Sequence, residues 1–307
     1  MPTLHGTYPR HVSVAVVEKP PAAPVIAIAV TLVLWASAFV AIRHLGDYFG
    51  PGPLTLGRMA VGSVCLGAVV AVQARRTGAF VTPGRRDWMP IIAIGVLWYA
   101  VYMVALNAGE KRVDAGTAAM LLQVSPILVA VGAAWFLSER FTPALAIGMV
   151  VSFAGVVVIG FADGGGASDL IGGLLCVVAA LAYSVSLVLQ KPLVGRLPAL
   201  TVTWLACTVG AVVCLGFGPG LVDELADAPT AAIVWMVYLG VFPTAVAFTT
   251  YAFALQHMTA SRLGVTTYVV PVITIVMAWV FLSEAPPMAA YAGGALALLG
   301  VAIARRG

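Results

Sequence analysis

Leu121-Leu122-Gln123-Val124-Ser125-Pro126 stands inside an apolar run over residues 115–137 that closes on Phe136-Leu137-Ser138-Glu139. The same design returns 145 residues later, where Thr266-Thr267-Tyr268-Val269-Val270-Pro271 lies inside a run over 260–282 that closes on Phe281-Leu282-Ser283-Glu284. Gly95, Gly148 and Gly155 recur in that register as Gly240, Gly293 and Gly300, and Trp35 aligns with Tyr183 after a small change of length. Random apolar sequences share a composition but not a register of this kind, so the chain reads as an internal duplication.

Composition says where the duplicated unit lives. Hydrophobic residues make up 62% of the 307 and charged residues 9%, and the mean hydropathy is +1.04. So few charges cannot build the polar shell of a soluble protein. Apolar runs recur at 25–42, 54–73, 88–108, 115–137, 144–161, 169–190, 199–217, 231–255, 260–282 and 287–304. Each is long enough to cross hydrocarbon about 30 Å thick as a helix, and too continuously apolar for barrel strands. The expectation is an all-α integral membrane protein with ten transmembrane helices. Residues 1–24 read as a flexible tail, 25–161 as the first five-helix repeat, 162–168 as a linker and 169–304 as the second repeat. Ala36-Ser37-Ala38 imitates a signal-peptidase site, but a matching segment in the second half argues for a retained span.

Charge sets the orientation. With a cytoplasmic N-terminus, twelve of the sixteen Lys and Arg residues fall on the inner side, among them Arg75, Arg76, Arg85, Arg86, Lys191 and Arg196. The outer loops hold Arg43, Lys111 and Arg112 and most of the acids. This places the chain in the inner membrane with both termini cytoplasmic, and the net charge of +4 marks the inner membrane face rather than a nucleic-acid site. Five spans per repeat is an odd number, so the two repeats are inverted, a plan that suits alternating access in transporters.

The span count, a Pro-broken fourth span ending in Phe-Leu-Ser-Glu, a Gly-rich fifth span and Arg58 early in the second resemble the EamA-type carriers of the drug/metabolite transporter superfamily. The resemblance covers residues 25–304. It implies an exporter of small metabolites such as amino acids, with a central cavity lined by spans 1, 3, 4, 6, 8 and 9 and with spans 5 and 10 at the periphery.

Pro126 and Pro271 each remove an intrahelical hydrogen bond, which serves either gating or a packing kink. Gln123 and Tyr268 lie three residues before each proline on the same helical face, where they serve as substrate contacts or as interhelical ties. Trp35, Tyr183, Tyr99, Tyr102 and Tyr251 lie too deep for an interfacial belt and suit a cavity for a partly apolar, zwitterionic ligand, or bundle packing. Trp88, Trp135 and Trp235 are assigned to the membrane interface. Arg58 is close enough to the outer boundary to snorkel as an anchor. Pro243 has no counterpart, because Trp98 holds the matching position. Gly148, Ser152 and Gly155 permit close helix approach, within the chain or across a homo-oligomer.

No Lys or Arg is expected in the cavity, which disfavours phosphorylated substrates. Cys65, Cys176, Cys207 and Cys214 lack metal-ligand spacing and read as small apolar side chains; no metal, cofactor or catalytic residue is implied. The leading expectation is a non-enzymatic exporter of neutral or zwitterionic metabolites, with the lipid bilayer and a small-molecule substrate as its partners. A proton-coupled drug exporter using Glu110 or Asp114 is the alternative, and an intramembrane enzyme or a structural membrane protein ranks below it.

Overall fold

The computed structural model describes residues 22–112, 118–119, 121–162, 170–282 and 288–304. Most of the expected tail and linker, together with Asp114 and Glu284, lie outside the described residues. Among those described, every regular element is helical. In chain order they are α1 (Ala22–Leu45), α2 (Pro51–Thr77), α3 (Trp88–Glu110), α4 (Leu122–Phe136), α5 (Pro143–Ala162), α6 (Leu170–Val194), α7 (Ala199–Asp227), α8 (Thr230–His257), α9 (Ala260–Phe281) and α10 (Met288–Ala304).

Among the described residues seven helices are long and apolar enough to cross a membrane: α1, α2, α3, α6, α7, α8 and α9. The apolar stretch of α4, and Pro143–Gly155 and Ala292–Ala304 within α5 and α10, are shorter. Val64, Trp135, Phe136, Val150 and Phe281 are each more than two-thirds exposed. Large apolar side chains left outside in such number suit a surface that meets lipid rather than water. Trp88, Trp135 and Trp235 are among the exposed aromatics.

Local breaks in the helices fall at matching places. α3 widens to a π-helical stretch over Gly95–Tyr102 and α8 over Gly240–Val246. α4 opens with a tight 3₁₀ turn over Leu122–Val124, and α9 carries one over Thr267–Val269. Each pair starts 145 residues apart. Pro126 and Pro271 follow the 3₁₀ turns within two residues, so the missing N–H is absorbed as a change of helical pitch rather than as a break in mid-helix. In α8, Pro243 cannot donate to the carbonyl of Leu239. In the wider pitch of that stretch the carbonyl of Leu239 faces Thr244, whose Oγ1 donates to it at 2.8 Å.

Glycines let the helices cross closely, again in matching pairs. A Cβ on Gly95 would stand 2.6 Å from the side chain of Val209 and 2.8 Å from the carbonyl of Ala206 in α7. On Gly240 it would stand 2.5 Å from Val61 and 2.9 Å from the carbonyl of Arg58 in α2. Val61 and Val209, like Gly62 and Gly210, are separated by 148 residues, as are Trp35 and Tyr183. α3 thus lies on α7 as α8 lies on α2. α5 and α10 pack on each other: a Cβ on Gly148 would meet Ala304 at 2.5 Å, and one on Gly300 would collide with Ser152. That small-residue stripe is used within the chain, and the pair stands outside the main core, which holds α1, α3, α6, α8 and parts of α2, α4, α7 and α9.

Candidate functional site

A cavity opens at the centre of this core. Its aromatic wall is Trp35 and Phe39 of α1, Tyr102 of α3, Tyr183 of α6 and Phe248 of α8. Its polar groups are Arg58 of α2, Gln123 and Ser125 of α4 and Thr267 of α9. Met103 and Phe248 hold matching positions in the two halves and both line it. The wall draws on the second half of α1, the start of α2, the end of α3 and the start of α4, so the cavity lies toward the end of the bundle where α1 gives way to α2.

Trp35 is the hub of the wall. Its ring lies 4.7 Å from Tyr251, 5.7 Å from Phe248 and 6.3 Å from both Trp98 and Tyr183, centroid to centroid. Most of these contacts are edge-to-face, the arrangement that the ring quadrupole favours. Tyr183 and Tyr251 share a hydrogen bond between their hydroxyls, which holds Tyr183 against the cavity.

The residues singled out in the sequence fall into two groups. Trp35, Tyr102, Gln123 and Tyr183 line the cavity. Tyr251 lies one layer behind it, and Tyr99 is buried against Trp98 and Phe248, its centroid 5.0 Å from the latter. Tyr268 turns the other way, into a cluster with Ala130, Leu145, Met149 and Val301 beside α5 and α10. Gln123 and Tyr268 match in sequence but do not face the same space. On α9 the preceding residue, Thr267, takes the cavity side, and Gln123 Nε2 donates to its carbonyl at 3.0 Å. Pro126 and Pro271 are buried just beyond the 3₁₀ turns and shape the wall through the backbone.

Arg58 departs from the sequence expectation. Its side chain is 3% exposed, faces the cavity and donates from Nε to Thr244 Oγ1 at 2.7 Å. α2 begins at Pro51, so Arg58 lies two turns inside the helix on the face that packs on α8, and it cannot snorkel outward. The cavity therefore holds one guanidinium where none was expected. The available signal was an arginine within an apolar run; the contact with Thr244 had none. Glu110, one turn beyond Leu106, buries both carboxylate oxygens without a hydrogen-bond partner among the described residues.

The opposite end of the bundle is tied shut by polar groups. Glu139 accepts from the backbone N–H groups of Ala260 and Ser261 at 2.8 and 3.1 Å and from Ser261 Oγ at 2.7 Å. Its negative charge thereby caps the positive end of α9. Lys191 Nζ donates to the carbonyls of Leu255 and Met258, both at 2.6 Å, and so caps the end of α8. Gln256 reaches the carbonyl of Val194 at 2.8 Å, and Arg196 pairs with Asp87 at 2.8 Å. The Glu that closes the Phe-Leu-Ser-Glu motif is thus a tie between α4 and α9. Glu139→Ala is expected to cost about 1–2 kcal/mol of stability, the range of a lost helix cap, read as thermal unfolding in detergent; an unchanged midpoint would remove the capping role.

The EamA-like transporter family matches this chain twice, over residues 22–161 and 170–306. The chain is 38% identical over 281 residues to a probable terminal-alkyne amino-acid exporter of Streptantibioticus cattleyicolor, covering 91% of this chain and 92% of that protein. It is 32% identical to the uncharacterized transporter YdfC of Bacillus subtilis over 87% of this chain and 86% of that one. One crystal structure, described only as that of a protein, superposes with a TM-score of 0.75 over 94% of this chain and 99% of its own at 23% identity, a likeness of fold alone. These matches make the chain a multi-pass membrane transporter rather than an enzyme. It belongs to the EamA-like transporter family.

Proposed function

We propose that this protein exports small neutral or zwitterionic metabolites, foremost amino acids, by alternating access of two inverted five-helix repeats. The observation that carries the reading is the central cavity, walled by aromatic rings and furnished with the few polar groups that orient a small ligand. The name of the relative from Streptantibioticus cattleyicolor supports amino acids as the class. Helices α1 to α5 form the first repeat and α6 to α10 the second. The double family match, the paired π-helical and 3₁₀ distortions and the paired glycine crossings support that division. The distribution of Lys and Arg supports an inner-membrane location with both termini in the cytoplasm. In that orientation the cavity belongs to the outer half, and the ties at Glu139 and Lys191 close the inner end. Trp35, Tyr102, Gln123 and Tyr183 form the substrate surface, Tyr99 and Tyr251 back it, and the 3₁₀ turns before Pro126 and Pro271 are the places where α4 and α9 bend.

Purified protein in liposomes, tested with labelled neutral amino acids with and without an imposed pH gradient, is expected to show saturable flux indifferent to the gradient. Accumulation driven by the gradient would instead favour the proton-coupled reading, for which the buried carboxylate of Glu110 is the candidate group. Absence of amino-acid flux in both conditions would remove amino acids as the substrate class.

A further inference from the structure

The two halves repeat their packing closely, so the places where they differ carry information about what the cavity holds. Where α8 crosses α2, the face-to-face pair is Thr244 and Arg58; at the matching crossing of α3 on α7 it is Tyr99 and Ala206. A guanidinium stands on one side of the pseudo-symmetric core and a methyl group on the other. Duplication alone does not place a charge in an apolar core, and burying one is costly unless something compensates it.

The compensation within the chain is incomplete. Among the described residues Arg58 forms no ion pair, and its recorded acceptor is the neutral hydroxyl of Thr244. Glu110 acts on it electrostatically, but no hydrogen bond joins them. The hydroxyl is itself fixed. Thr244 donates its proton to the carbonyl of Leu239, so its oxygen is free to accept from Arg58 Nε. The guanidinium is therefore held by one edge at the cavity wall, with the remaining N–H groups in the fork geometry that matches a carboxylate. Thr244 and Arg58 form one device beside Pro243, and the matching crossing of α3 on α7, with Trp98, Tyr99 and Ala206 in the corresponding places, lacks it.

We propose that Arg58 is the anion-recognising residue of the cavity and takes the carboxylate of the substrate, while the aromatic wall around Trp35 takes its apolar side chain. The substrate class is then a small carboxylate with an apolar or aromatic side chain, free α-amino acids included, and amides, esters and amines of the same skeleton are excluded. This rests on the cavity being the transport site.

The test compares four compounds of one skeleton, 3-phenylpropionate, L-phenylalanine, L-phenylalaninamide and phenethylamine. They are used as ligands in thermal unfolding of the purified protein and as competitors of labelled L-phenylalanine counterflow in liposomes. The two carboxylates are expected to bind at least about tenfold more tightly than the amide and the amine, and Arg58→Met to erase that preference. Arg58→Lys and Thr244→Ala, which keep a positive charge but lose the fixed fork, are expected to fall between. Should Arg58→Met fail to fold, these two variants carry the test: an unchanged acid preference in both overturns the proposal. Equal responses to acid and amide in the unaltered protein overturn it as well, even if amino acids are transported. Stabilisation by 3-phenylpropionate that needs Arg58, without flux of any amino acid, upholds the anion site and removes the amino-acid export reading.

Discussion

Alanine at Gly240 is expected to lower the unfolding midpoint of the purified protein sharply, because its Cβ would stand 2.5 Å from Val61 and 2.9 Å from the carbonyl of Arg58. A backbone carbonyl cannot rotate away, so α8 must lift off α2, at a cost of about 1–3 kcal/mol. The displacement also carries Thr244 away from Arg58, so the acid preference of the cavity is expected to weaken in whatever protein remains folded. Gly218→Ala is the matched control, since a Cβ there meets nothing within 4 Å, and a change within about 0.5 kcal/mol is expected. Equal midpoints for the two variants would show that the crossing of α2 and α8 tolerates more space than the glycine contact implies.

The second large effect is expected at Trp35. Truncation to alanine removes ring contacts with Trp98, Tyr183, Phe248 and Tyr251, each worth about 0.5–1.5 kcal/mol. The same truncation takes away the surface on which an apolar substrate side chain would rest. For an aromatic amino acid the apparent KM is expected to rise about tenfold or more; for alanine, which reaches the wall less, the rise is expected to be smaller. Trp35→Phe keeps a ring and is expected to recover most of the loss. Counterflow kinetics normalised to the amount of folded protein separate these outcomes. Equal losses for both substrates, or a loss explained by abundance alone, would make Trp35 a packing residue.

The sequence made Trp35, Tyr102, Gln123 and Tyr183 legible as cavity residues because aromatic and polar groups deep in an apolar run need a reason to be there. It misled at Tyr268, since a sequence offset equates it with Gln123 but does not fix which side of the helix faces the cavity. Both helices carry the same 3₁₀ turn, so the difference lies in their neighbours: Tyr268 packs into the cluster beside α5 and α10 while Thr267 takes the wall. Arg58 was visible but misplaced. Depth along a helix can be counted from residues, whereas the identity of the neighbour that covers a side chain cannot.

Hydropathy by itself determined that this chain is helical and at home in lipid, because backbone groups in hydrocarbon have few ways to be satisfied. The 145-residue register likewise exposed the duplication, because a proline, glycines and a closing motif leave marks in the sequence that side-chain chemistry alone explains. The tertiary structure decided the rest: that Glu139 caps α9, that the glycine stripes bind α5 to α10 within the chain, and that Thr244, tied to the carbonyl of Leu239, meets Arg58. Those pairings join residues 121, 152 and 186 positions apart. Helix packing brings them together through contacts that leave no periodic trace along the chain.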